Sequence, residues 1–96
     1  MYAVIFRAKI IKQTDEYSRL ASKLRQLAFD KYRCIDFVAV TQEDQEIAIS
    51  YWHDEADILA WKKDSDHQMA QLLGAREWYS HYQVDVTEVK RHYFKN

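Results

Sequence analysis

The sequence predicts a single α+β domain of the ferredoxin-like kind, with a four-stranded antiparallel sheet carrying helices on one face. Two-residue alternation of apolar side chains opens and closes the chain, helical spacing appears twice between, and a hairpin pattern sits in the middle. That order, βαββαβ, is the split βαβ arrangement. At 96 residues the chain has the length of one domain, residues 1–96, and it shows no linker, repeat or low-complexity segment.

The first strand is read over Tyr2 to Ile11. Tyr2, Val4, Phe6, Ala8 and Ile10 fall on one face and Ala3, Ile5, Arg7, Lys9 and Ile11 on the other. Apolar residues on both faces predict burial on both. Thr14 followed by Asp15 and Glu16 is a helix start. Tyr17, Leu20, Ala21, Leu24, Leu27 and Ala28 then recur at helical spacing for about four turns. Alternation returns from Cys34 to Thr41, and the polar Gln42 to Gln45 predicts a turn before a partner strand over Glu46 to His53. Asp54 can cap a second helix carrying Ile58, Leu59, Trp61 and Lys62, which breaks near Asp64 and Ser65. Asp66 can cap a further helix holding Met69, Ala70, Leu72, Leu73, Trp78 and Tyr79. Its interruption by Gly74, the sole glycine, predicts a close contact there, since glycine otherwise weakens a helix. The last strand is read from Tyr82 to Phe94, long enough to reach beyond its own sheet.

Fourteen basic against fifteen acidic residues give a net charge of -1. Such a balance offers no broad attraction for phosphate backbones or anionic lipid, so nucleic acid and membrane are not expected partners. No apolar run approaches the roughly 20 residues of a membrane span. A lone Cys34 and the absence of a leader-like opening point to the cytoplasm. A domain this small has a marginal core. Its doubly apolar first strand therefore predicts a homodimer with sheets packed face to face.

The run from Glu46 to Tyr82 holds Tyr51-Trp52 at a strand end, Ala60-Trp61 in a helix, His67 just past a loop, Gly74, and a Trp78-Tyr79 pair. With the element order, these residues resemble the antibiotic biosynthesis monooxygenase family of dimeric α+β barrel proteins. The resemblance implies a pocket between helices and sheet, used in that family for oxygenation of aromatic polyketides without a cofactor. Relatives include quinol oxygenases and haem-degrading enzymes. The haem-degrading branch carries an Asn on the first strand, a Trp on the second helix and a His after it. Those positions fall here on Phe6, Trp61 and Gln71, so the axial iron ligand is missing and haem turnover is not expected.

Aromatic residues make up 15% of the chain, which either fills a small core or lines a pocket. Trp52, Trp61 and Trp78 are read as core aromatics or, with Phe6 and Gln71, as the walls of a substrate site for a planar ligand. Trp61 shares a helical face with Ile58 and is expected to face Phe6 across the sheet. His67 is a capping or surface residue, or a proton-transfer group at the pocket mouth, where an imidazole titrates near neutrality. His53 divides the same way, and Arg7 either pairs with a carboxylate or binds an anionic group. The four His show no metal-ligand spacing, and one glycine with no proline forms no phosphate loop, so neither metal nor cofactor is expected. The functional expectation is a cofactor-independent monooxygenase acting on a small aromatic or quinone-type molecule. The competing one is a non-enzymatic dimeric binding or stress-related module.

Overall fold

A computed structural model describes the backbone of residues 1–96 and every side chain except those of Ser65 and Asp66. The capping role read for Asp66 thus lies outside the described side chains. The chain forms β1 (Tyr2–Ile10), α1 (Asp15–Asp30), β2 (Asp36–Gln42), β3 (Gln45–Trp52), α2 (Glu55–Lys63), α3 (Ser65–Leu73), a π-helical turn (Gly74–Trp78) and β4 (Tyr79–Glu88). The antiparallel sheet runs β2-β3-β1-β4, the ferredoxin-like order. Among the described residues no helix is long and apolar enough to cross a membrane.

Local chemistry sets the boundaries. Thr14 is extended and its hydroxyl accepts from the Tyr17 amide at 3.2 Å, which starts α1 where the sequence places the cap. Asp54 does the same for α2 through the Ala56 amide at 2.9 Å. Between β2 and β3 the turn is only Glu43 and Asp44, with Glu43 at φ 56. That left-handed value suits a two-residue hairpin. The break between α2 and α3 is pinned by Tyr32, whose hydroxyl donates to Asp64 Oδ2 at 2.6 Å.

Most element ends lie within two residues of the sequence reading, and the last strand departs from it furthest. Trp78 closes the π-helical turn and Tyr79 already belongs to β4, so the last strand begins three residues before Tyr82 and ends at Glu88 rather than Phe94. The cause is Gly74. A β-carbon there would lie 2.9 Å from the Tyr79 ring, so the glycine lets the turn widen and the ring fold back against it. The pairing with β1 also slips between Lys9 and Ile10: Lys9 faces His81, but Ile10 faces Tyr79. Ser80 is the extra residue of a bulge, and it brings Tyr79 and Tyr82 onto one face although they are three apart.

On the helix side, Tyr2, Val4, Phe6, Ala8 and Ile10 of β1 stand beside Trp52, Ser50, Ala48 and Glu46 of β3. Two clusters cover this face. One gathers Val4, Ala28, Cys34, Trp52, Ile58 and Trp61; the other gathers Ile10, Tyr17 and Trp78 with Leu20, Leu73 and Tyr79 around them. On the opposite face Val38 and Val40 are exposed and Ile5, Ile47 and Ile49 are half-buried. Arg7 is exposed there among them.

Candidate functional site

The structure divides the residues singled out in the sequence between two places. Trp52 is fully buried, and its indole N–H donates to Ser50 Oγ at 2.9 Å. Trp61 is 8% exposed and its indole donates to the Leu24 carbonyl at 3.1 Å, tying α2 to α1. Its ring meets Trp52 at 5.3 Å, Phe37 at 6.1 Å and His67 at 4.3 Å. Phe6, expected opposite Trp61, packs instead on Tyr79 at 5.5 Å and Tyr82 at 5.9 Å. Trp78 lies in the second cluster, edge-on to Tyr17 at 5.0 Å and itself buried.

His67 occupies the first turn of α3. Its Nδ1 lies 3.0 Å from Gln71 Nε2, one turn along, and that same amide nitrogen is 3.4 Å from the Lys62 carbonyl. An amide that donates to both leaves Nδ1 as acceptor and places the imidazole hydrogen on Nε2. Burial holds the His67 pKa below the usual imidazole value, so the ring is neutral at neutral pH. His53 is exposed and lines a separate small cleft of about 190 Å³ with Arg33, Asp54 and Asp57. A larger surface cleft of about 380 Å³ opens between α1 and α3, walled by Leu20, Met69 and Leu73 with Arg19, Lys23 and Glu16.

A third group escaped the sequence reading. Tyr17 of α1, Glu46 of β3 and Tyr79 of β4 converge on one point: the Tyr17 hydroxyl donates to Glu46 Oε2, and the Tyr79 hydroxyl lies 3.3 Å from both that oxygen and Tyr17. Burial first, and then the carboxylate, pushes the Tyr17 pKa far above its ordinary value. Burial raises Tyr79 as well. Both phenols are therefore permanent donors at neutral pH. The two hints in the sequence were Gly74, which marks a close approach, and Glu46, an acid on the face of a strand that otherwise points at the helices.

Beside this trio the helices leave sheet uncovered. Tyr82, Val84 and Val86 of β4 share the helix side with Phe6, yet they are 41%, 50% and 47% exposed. Phe6, Tyr79 and Tyr82 form an aromatic wall, with Ala48 next to Phe6 on β3 as a half-buried floor. The arrangement offers a planar apolar molecule a place to lie against rings, with a carboxylate and two phenols at one end.

No family model matches the sequence. The chain is 32% identical over 91 residues to the uncharacterized protein YqjZ of Bacillus subtilis, covering 94% of this chain and 80% of that protein. Among solved structures, SnoaB, a cofactor-independent oxygenase from Streptomyces nogalater, superposes with a TM-score of 0.77 over 95% of this chain and 94% of its own at 7% identity. An antibiotic biosynthesis monooxygenase superposes at 0.67 over 95% of this chain and all of its own, at 13% identity. The chain belongs to the family of YqjZ, and its fold is that of the antibiotic biosynthesis monooxygenases.

Proposed function

We propose that this protein is a cofactor-independent monooxygenase acting on a small aromatic or quinone-type molecule bound on the helix side of the sheet. The observation that carries the reading is the exposed strip of Tyr82, Val84 and Val86 beside the half-buried Phe6, on the helix side of the sheet. In such a reaction the substrate, once deprotonated, is electron-rich enough to reduce dioxygen directly. The protein contributes an apolar surface for the ring and a group for proton transfer. His67, neutral and beside Trp61, is the candidate for that role: its Nδ1, which faces Gln71, would take the substrate proton once Gln71 releases it.

A second reading has its own support. The indole N–H groups of Trp52 and Trp61 are spent on Ser50 and Leu24, so these tryptophans serve the core rather than a ligand. A module that binds an aromatic without turning it over needs no more than the exposed wall. Oxygen uptake separates the two. With an anthrone or hydroquinone probe and no added metal, flavin or haem, consumption well above the autoxidation rate and reduced by Phe6→Ala supports the oxygenase. Binding of the probe without extra oxygen uptake supports the module.

The working form in this proposal is a homodimer. Val38 and Val40, with Ile5, Ile47 and Ile49, form an apolar area on the open face, and a second sheet laid on it would enlarge a marginal core. Sedimentation equilibrium at micromolar concentration should show two chains per particle; a single-chain mass overturns this part.

A further inference from the structure

Glu46 is placed for more than a structural tie. Three elements that are remote in sequence bring Tyr17, Glu46 and Tyr79 together, and both phenols spend their protons on the same carboxylate oxygen, Oε2, or on one another. Among the described residues no buried side-chain oxygen or nitrogen lacks a partner. Among the described residues no side chain or amide is bonded to Oε1, and since no unpartnered oxygen is buried, that oxygen keeps access to an incoming group. A carboxylate with one oxygen saturated and the other open is a poor way to join a helix to a sheet, because an apolar contact there would avoid the desolvation cost altogether. It is a good hydrogen-bond acceptor for a ligand that arrives with its own donor.

The neighbourhood specifies that ligand. The Tyr79 ring that reaches Glu46 also packs on Phe6 and Tyr82, so the carboxylate stands at the end of the aromatic wall. Glu46 and Ala48 point to the same side of β3, with Ala8 and Phe6 as their partners on β1. A flat ring lying along Phe6 would therefore present an edge substituent to Oε1. A phenolate would be repelled by the carboxylate, and an ether has nothing to donate. Building on the oxygenase reading above, we propose that Glu46, held by Tyr17 and Tyr79, is the binding anchor that selects a neutral phenol or hydroquinone by accepting its hydroxyl. The two phenols hold the carboxylate fixed, since a swinging acid would lose the selectivity.

Anaerobic calorimetric titration with hydroquinone and with its dimethyl ether tests this on the wild-type chain. Hydrogen bonds to a charged group support an expectation that the diol binds roughly ten-fold or more tighter than the ether. Glu46→Gln should erase that preference while leaving the ether's affinity unchanged, a result that a merely structural role would not produce. Tyr17→Phe keeps the carboxylate but removes one of the two hydroxyls that fix it, so it should reduce the preference without erasing it. Equal binding of diol and ether to the wild type overturns the anchor and leaves the oxygenase reading standing. So does a preference that survives in folded Glu46→Gln. Failure of both compounds to bind removes the aromatic site itself, and the anchor with it. If Glu46→Gln does not fold, the wild-type ratio together with Tyr17→Phe still decides.

Discussion

The two clusters on the helix side use the same kind of residue to opposite ends. Around Trp52 and Trp61 the aromatic rings are closed in by Val4, Ala28 and Ile58, and both indole N–H groups are bonded inside the protein. Around Tyr17 and Tyr79 the rings carry hydroxyls, the hydroxyls converge on a carboxylate, and the adjoining β4 surface lies open. A tryptophan has one donor and no acceptor, so once its N–H is bonded it is chemically finished. A phenol both donates and accepts, which lets a tyrosine pair organise a polar point inside an apolar setting. Stability should therefore depend on the first cluster and ligand chemistry on the second.

The harshest test of that division is Trp52→Ala. The ring is fully buried, so its loss should cost about 3–5 kcal/mol, and it also strands the Ser50 hydroxyl that accepts the indole N–H at 2.9 Å. Urea titration should show a variant largely unfolded at 25 °C. A loss under roughly 1 kcal/mol, far below the range for a packed aromatic, would mean that the first cluster is not the stabilising one.

Gly74→Ala reads the second cluster at its tightest contact. A methyl group there meets the Tyr79 ring at 2.9 and 3.0 Å. Overpacking of that kind costs about 1–3 kcal/mol, against a gain of up to about 1 kcal/mol in helix propensity. We expect a net loss near 1 kcal/mol by the difference of those two ranges. In a Tyr79→Leu background the same change should become neutral or stabilising, which a double-mutant cycle measures directly.

Tyr17→Phe removes one hydroxyl and should cost about 1–2 kcal/mol near neutral pH. Its signature is in alkali. Burial and then Glu46 raise the Tyr17 pKa in the folded state, so above about pH 10, the ordinary tyrosine value, the unfolded chain loses a proton that the folded chain keeps. Stability must then fall as pH rises. The wild type should lose stability above about pH 10 more steeply than Tyr17→Phe; parallel curves would deny the buried phenol.

The fold was legible because its signals are local. Thr14 and Asp54 cap where they stand, and alternation assigned the faces of β1 and of the hairpin. The site was less legible, for reasons that particular residues show. Tyr17 and Glu46 lie far apart in sequence, and nothing in the spacing of either announces the other. Tyr79 was read as helical because Trp78 and Tyr79 continue the spacing of Leu72 and Leu73. The π-helical turn and the bulge at Ser80 then move Tyr79 into the sheet, beside Tyr82. Insertions of this kind change which side chains share a face without changing the apolar pattern. Phe6 was correctly placed on the helix side, but its partner depended on that bulge, and so it faces Tyr79 rather than Trp61.

The smallest expected effect lies at the border of the first cluster, at His67. Its imidazole stands edge-on to Trp61 at 4.3 Å and is only half-buried, so His67→Ala should change stability little at pH 8. Acid reveals it. Burial lowers the His67 pKa in the folded state, whereas in the unfolded chain the ring titrates near pH 6.5. Below that pH the unfolded state takes up a proton that the folded state resists, so the wild type should lose stability as pH falls through about 6.5 and toward the folded value. With the imidazole gone, that part of the slope should vanish, while the alkaline loss due to Tyr17 stays. Urea titrations of both proteins at pH 8 and pH 5.5 check this. A variant that tracks the wild type across that interval would show a solvated, ordinary histidine. Such a ring would not be held between Trp61 and Gln71, and the position assigned to His67 for proton transfer would fall with it.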